Sequence, residues 1–363
     1  MSIPLYLSFI ISLLISLIFT PIIIRWYKHN HWLDDPKTSN HPKNIHTKPI
    51  PRGGGIIIFI SILVTSILFL PIDKHLIGIM IGALILTLIG FLDDLFDLNP
   101  YLRIVTGILA TLCVIAVGIG IPFLTNPFSS NSLLYLNQPQ IPIFFGSKWH
   151  TIWVLADLFA LFWIVGITNF VNWSKGLDGQ LPGTVAIAAI VISLLSQKFS
   201  ADITQWNSAV LALIVAGAYI GFLPWNFFPQ KIMPGYGGGS LAGYFLAVLA
   251  ILTTTKVGTL FIVLGIPLID AIFVMLKRIR SGKSPVWGDT NHLHHTLLKV
   301  GWGKRRIAIF YWSVTGILGF IALQLNSQQK FYTIILLFIV FALFLLWIKY
   351  FRQSSVQQGR DSG

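Results

Sequence analysis

Apolar segments of about 17 to 23 residues recur along almost the whole chain, and each is long enough to cross the hydrocarbon layer of a bilayer as a helix. They fall near 3–25, 53–71, 76–92, 102–121, 152–170, 181–197, 207–223, 239–255, 257–275, 306–324 and 330–349, eleven in all. Backbone groups facing lipid must bond within their own segment, which makes such stretches α-helical. The expected fold class is therefore all-α: a polytopic membrane protein of about 11 transmembrane helices, with a single domain over 1–350 and a disordered cytoplasmic tail at 351–363. Composition agrees, with 55% hydrophobic and only 10% charged residues among 363 and a mean hydropathy of +0.78, far from a soluble domain. The first segment has a weak positive flank and no clear small-residue cleavage site, so it reads as a retained helix. Cys113 is the only cysteine and lies inside a predicted span, which excludes an intrachain disulfide.

The formal net charge is +13, from 25 Lys and Arg against 12 acids, every one of them Asp. Nucleic acid is not the implied partner, because the charge is divided between alternate loops. With the amino terminus outside, the inside loops, their flanks and the tail hold 20 of the basic residues, leaving Lys74, Lys148, Lys198, Lys256 and Lys330 for the other side. Positive charge retained inside orients the bundle and puts the carboxyl terminus in the cytoplasm.

The polar clusters fall on that same inside face. They are H-T-K-P-I-P-R-G-G-G at 46–55, D-D-L-F-D at 93–97, N-F-V-N-W-S-K-G-L-D-G at 169–179, K-I-M-P-G-Y-G-G-G-S at 231–240, and the loop from Lys277 to His295. The outer face receives mostly short or bland loops, with a small hairpin expected in 122–151. The last four of these on one side suggest a single cytoplasmic site where a charged, water-soluble substrate meets something held in the membrane.

Asp93, Asp94 and Asp97 have helical i, i+3 and i, i+4 spacing, which gathers three carboxylates at the end of an apolar segment. Such a patch wants a divalent cation or basic partners, since close carboxylates raise one another's pKa. Magnesium suits oxygen ligands shared with phosphate; pairing with Arg103 or nearby lysines is the plainer reading. Asn169 and Asn172 stand one turn apart, with Asp178 between Gly176 and Gly179. They can hold a nucleotide or a cation, or simply cap a helix. His292, His294 and His295 do not share one helix face and have no fourth ligand at zinc spacing. Preceded by Lys277, Arg278, Arg280 and Lys283, they fit an anion pocket for a diphosphate better.

In this order, the clusters resemble the polyprenyl-phosphate N-acetylhexosamine-1-phosphate transferases, which include the phospho-N-acetylmuramoyl-pentapeptide transferase of peptidoglycan synthesis. D-D-L-F-D looks like the family's D-D-x-x-D, N-F-V-N-W-S-K-G-L-D-G-Q like N-x-x-N-x-x-D-G-x-D-G-L, and 267–295 like its final loop, a likeness spanning about 46 to 300. The resemblance implies transfer of a sugar 1-phosphate from a UDP-sugar to polyprenyl phosphate, with magnesium and release of UMP, in cell-envelope polysaccharide synthesis. Carried across, Asp93, Asp94 and Asp178 are the catalytic candidates, and Asn172 and Asp94 the metal candidates. Asn169, Asn172, Arg278, Arg280, His292, His294 and His295 are the substrate-binding candidates. The implied partners are polyprenyl phosphate, UDP-N-acetylhexosamine and membrane lipids, with a homodimer among the allowed assemblies, at a bacterial plasma membrane.

Three positions depart from the family pattern. Lys175 stands at the first Asp of D-G-x-D-G. In the family segment F-M-G-D-x-G-S, aligned without a gap on 233–239, Tyr236 stands at the principal metal-ligating Asp and Gly239 at the Ser. No shift of register supplies an acid, because 231–240 contains none. A binding-only relative that scaffolds envelope assembly and a lipid or solute transporter are the alternatives; the latter needs ionisable residues near mid-membrane, for which Asp157 and Asp270 are the candidates.

Overall fold

The computed structural model of the chain describes residues 2–36, 48–126, 128, 132–145, 148–198, 203–253, 257–284 and 291–361. Among these residues thirteen α-helices run α1 Ser2–His29, α2 Gly54–Phe69, α3 Lys74–Phe96, α4 Pro100–Ala116, α5 Val154–Trp173, α6 Gln180–Gln197, α7 Ile203–Asn226, α8 Gly235–Leu252, α9 Val257–Val263, α10 Gly265–Arg280, α11 Leu293–Lys299, α12 Lys304–Gln324 and α13 Ser327–Asp361. Each of the eleven expected segments is met by a helix, or by the broken pair α9 and α10. Eight helices among the described residues are long and apolar enough to cross a membrane, nine if the bent pair counts as one span. The shorter α2 and α4 have 16 and 17 residues.

Two expectations needed adjustment. The segment at 257–275 is not one rod: α9 and α10 meet at 86°. Pro267 explains the break, since its ring clashes with the carbonyl four residues earlier and it has no N–H to donate there. The stretch 122–151, expected to carry one hairpin, holds two antiparallel strand pairs, β3 Phe123–Thr125 with β4 Leu133–Tyr135 and β5 Gln140–Phe145 with β6 Lys148–Trp153. A further two-residue pairing, β1 Leu33–Asp34 with β2 Ile50–Pro51, ties the exit of α1 to the entry of α2. The helical backbone of α13 runs into the segment expected to be an irregular tail.

Burial identifies the centre of the bundle. In α8 89% of the apolar window is buried, against 11% in α13, so α8 is the inner post and α13 a peripheral helix whose large apolar side chains face outward. Small residues let α8 sit so deep. A Cβ on Gly90 would stand 2.3 Å from the Cα of Gly237, and one on Gly55 2.5 Å from the amide nitrogen of Gly238. Backbones of α2, α3 and α8 therefore meet directly, as small residues permit between membrane helices. The contact anchors the site, because α8 begins and α3 ends at the same end of the bundle.

Candidate functional site

Local sequence explains how the acids are presented. Asp97 closes α3 in the left-handed region, φ 47°, a conformation Asp tolerates better than most residues. Two residues on, the Asn99 side chain accepts the Tyr101 N–H at 2.9 Å and Pro100 opens α4, a favoured N-cap and first-turn pairing. The tight D-L-N-P corner turns α4 back beside α3, so Arg103 in its first turn faces the acids. Its guanidinium pairs with Asp93 and with Asp97, the latter at 2.9 Å. The expected helical triad is thus corrected: Asp97 lies at the cap, and Arg103 grips it together with Asp93.

Asp94 faces the other way, toward α8. It accepts the Tyr236 N–H at 2.9 Å, and a Cβ on Gly235, at φ +67°, would fall 2.1 Å from its Oδ2. Only glycine allows that approach. Tyr236 is 2% exposed, and its phenol donates to the Arg103 carbonyl at 3.2 Å. Arg103 and Lys175 lie over its ring at 5.5 and 5.4 Å, within the range of cation–π attraction.

Lys175 comes from the short turn after α5. Its Nζ donates to the Gly235 carbonyl at 3.1 Å, and its charge acts on both Asp93 and Asp94. Arg52 also acts on Asp94 and pairs with Asp34 at 3.1 Å. The stem of Lys175 crosses Gly239, where a Cβ would stand 3.0 Å from its Cδ and 2.1 Å from the Oδ1 of Asn172. That amide oxygen is buried and has no hydrogen-bond partner among the described residues. Asn169, by contrast, donates to the Val165 carbonyl within its own helix at 2.8 Å, a back-bond one turn earlier and not a cap on the last carbonyls of α5.

A second group is built on α5, α10 and α11. Asp270 accepts the Leu293 N–H at 2.9 Å through one oxygen and meets His292 Nδ1 at 2.9 Å through the other. His292, His294 and His295 are all buried and in ring contact, at 5.7 Å for the first pair and 4.3 Å for the second. Trp173 lies against His292 and carries the Arg278 guanidinium over its face at 5.3 Å. His294 Nε2 has no partner among the described residues and points at Gly176, where a Cβ would stand 2.3 Å away. Burial first, and then the neighbouring His295 and His292, holds the His294 pKa well below the ordinary histidine value, because a charged imidazole is costly there. Arg280 is exposed at the end of α10.

Residues 172–176 join the two groups. Asn172 and Lys175 touch α8, and Trp173 and Gly176 touch the histidines. Asp178 lies just beyond, buried, with Lys304 Nζ 3.3 Å from one oxygen and the Gln230 N–H 3.3 Å from the other. Its role in the fold is a clasp between the 226–232 loop and α12, reinforced by the Asn226 side chain on Gly179 N at 3.0 Å. His46 and Asp289 lie outside the described residues. Asp270 was read from sequence only as a candidate membrane acid; its partner is 22 positions away, and no spacing rule points to the pair. Asp157 accepts the Trp153 N–H at 3.1 Å in the first turn of α5, an ordinary cap role.

The donor set at α8 does not fit magnesium. The phenol at 236 is committed as a donor, no acid lies in 231–240, and Lys175, bonded to the Gly235 carbonyl, brings its amine into the field of Asp94. Two unit charges about 4 Å apart repel by roughly 4 kcal/mol at an effective dielectric of about 20, and a divalent ion doubles this. Among the described residues no three Asp or His side chains converge on one point.

Known proteins resemble this chain over most of its length. The family model described as glycosyl transferase family 4 matches residues 76–254. The chain is similar to the probable undecaprenyl-phosphate N-acetylglucosaminyl 1-phosphate transferase of Bacillus subtilis (strain 168), 29% identical over 92% of this chain and 88% of that protein. It is 29% identical to the phospho-N-acetylmuramoyl-pentapeptide-transferase of Bacillus thuringiensis (strain Al Hakam), over 88% of this chain and 95% of that protein. Against the decaprenyl-phosphate N-acetylglucosaminephosphotransferase of Mycobacterium leprae (strain TN) the identity is 26%, over 77% and 74%.

Proposed function

We propose that the chain, which is similar to glycosyl transferase family 4 proteins, transfers the sugar 1-phosphate of a UDP-N-acetylhexosamine to polyprenyl phosphate at the cytoplasmic face of a bacterial plasma membrane. An oxygen of the lipid phosphate attacks the phosphorus that carries the sugar. A new phosphorus–oxygen bond forms there, the bond to the uridine-bearing phosphate breaks, and UMP leaves with the electron pair. The product is a lipid-linked diphosphate sugar, and charge balances without a redox partner.

The single observation that supports this reading is the junction at 172–176, which joins an acid and cation cluster beside α3 and α8 to the buried histidine group with Arg278. The first cluster suits the lipid phosphate: the prenyl chain stays among the helices while Lys175, Arg103 and Arg52 offer positive charge. Asp93 and Asp94 act there as anchors that hold those cations, since bare carboxylates repel a phosphate. The histidine group suits the donor, with Arg278 and the unpaired His294 Nε2 as contacts for its oxygens and Asp270 orienting His292. Asp178 supports the nucleotide side by fixing the loop and α12. Preorganised donors aimed at a transferring phosphoryl group are the main source of catalysis in such reactions.

The test is UMP release from UDP-N-acetylhexosamines by the purified full chain in lipid nanodiscs with polyprenyl phosphate. Release that requires both substrates supports transfer. Donor binding without release across several UDP-sugars replaces it with a binding-only relative.

A further inference from the structure

We propose that Lys175 is the resident cation of this site, its ammonium serving beside Asp93 and Asp94 where a transferase of this kind would otherwise hold a divalent metal, so that phosphate is bound and transferred without one. The proposal rests on the transfer reading above and extends it to the charge chemistry of the site.

Geometry makes the three unusual positions a single unit. The Lys175 stem needs the open backbone of Gly239, its ammonium bonds the Gly235 carbonyl at 3.1 Å, and its charge faces the Tyr236 ring at 5.4 Å. A carboxylate at 236 in place of the phenol would bind that ammonium directly. With tyrosine there, the ring takes the cation on its face without binding it as a carboxylate would, and the lysine acts on Asp93 and Asp94 through its field. The phenol oxygen meanwhile donates to the Arg103 carbonyl at 3.2 Å, which fixes the start of α4 and the guanidinium that grips Asp93. Three cations serve four acids here: Arg103 pairs with Asp93 and Asp97, Arg52 pairs with Asp34, and Lys175 together with Arg52 acts on Asp94. A divalent ion entering here meets an ammonium and a guanidinium already in place.

An independent observation points to a ligand at the same spot. The buried Oδ1 of Asn172 has no partner among the described residues and faces the point on Gly239 that the lysine stem also touches. A buried acceptor left open costs free energy, and what it lacks is a donor such as an N–H or O–H of the sugar, since an ionised phosphate oxygen cannot bond to it. During transfer the developing charge on the phosphoryl oxygens falls to Lys175 and Arg103. The bond changes are those given above, and neither proton nor electron is left over.

The experiment titrates Mn²⁺ alone, followed by electron paramagnetic resonance, into the full chain in nanodiscs, and in parallel measures UMP release with and without EDTA. The natural chain is expected to bind Mn²⁺ only weakly and to release UMP equally with EDTA present. Lys175→Gln, and more so Lys175→Asp with Tyr236→Asp, is expected to tighten Mn²⁺ binding by at least about tenfold by removing the like charge. Lys175→Arg keeps the charge and gains no Mn²⁺ site, a control that any folded variant must pass by circular dichroism. Equal Mn²⁺ affinity in the natural chain and Lys175→Gln overturns the proposal, as does UMP release that EDTA abolishes and Mg²⁺ restores. If UMP is released under no condition, the transfer reading fails, and the Mn²⁺ comparison still decides the role of Lys175 in the same directions.

Discussion

Asp270 holds His292 by a 2.9 Å contact to Nδ1 while its second oxygen takes the Leu293 N–H, also at 2.9 Å. One buried carboxylate thus both starts α11 and selects which imidazole nitrogen is left for a ligand. Asp270→Asn is expected to weaken binding of UDP-N-acetylhexosamine by about 1–3 kcal/mol, the cost of disturbing a buried polar pairing. Calorimetric titration of the donor checks this, and unchanged affinity would remove His292 from the donor site.

Arg103 bridges two acids, one of them 4% exposed. Removing the guanidinium in Arg103→Gln leaves Asp93 buried without its counter-ion and is expected to destabilise the chain by about 3–5 kcal/mol. Adding Asp93→Asn should recover much of that loss, because the uncompensated charge goes with it. Thermal unfolding in detergent of the two single variants and the double variant measures the coupling.

At Gly239 the space is already taken by Asn172 and Lys175. Gly239→Ser is expected to cost about 1–3 kcal/mol through overpacking and to displace the lysine stem. Asn172→Ala added to it should restore stability by removing the closest atom. A folded Gly239→Ser chain with full stability would show that the contact yields more easily than the geometry indicates.

The His294 imidazole, pushed low by burial and by its two neighbours, sets a pH dependence of defined sign. In the unfolded chain it takes up a proton near pH 6.5, whereas in the folded chain it stays neutral until a lower pH. Between those values the unfolded state binds more protons, so stability falls as pH falls from about 6.5 toward the folded value. His294→Gln is expected to flatten this part of the profile, measured as unfolding temperature against pH.

Sidedness rests on the distribution of basic residues and is open to a direct check. In a Cys113→Ser background, Asn99→Cys and Lys283→Cys should be labelled by an impermeant maleimide from the cytoplasmic side of sealed vesicles, and Tyr135→Cys from the other. These three residues are exposed. Labelling of Asn99→Cys and Lys283→Cys from different sides would separate the two halves of the site.

Length and hydropathy alone determined that this chain is a bundle of membrane helices, because a run of apolar residues reports its solvent without reference to any partner. The same local chemistry announced the polar ends at Asp93, Lys175 and His292. What the histidines lean on, which way Asp94 faces and why Gly239 carries no side chain were decided only in three dimensions. Asp270 and His292 meet across 22 residues, Lys175 and Gly235 across 60, and no helical period relates such pairs. Whether an acid anchors a lysine or a metal depends on the charges that other segments bring within a few ångströms, which is a property of packing and not of composition.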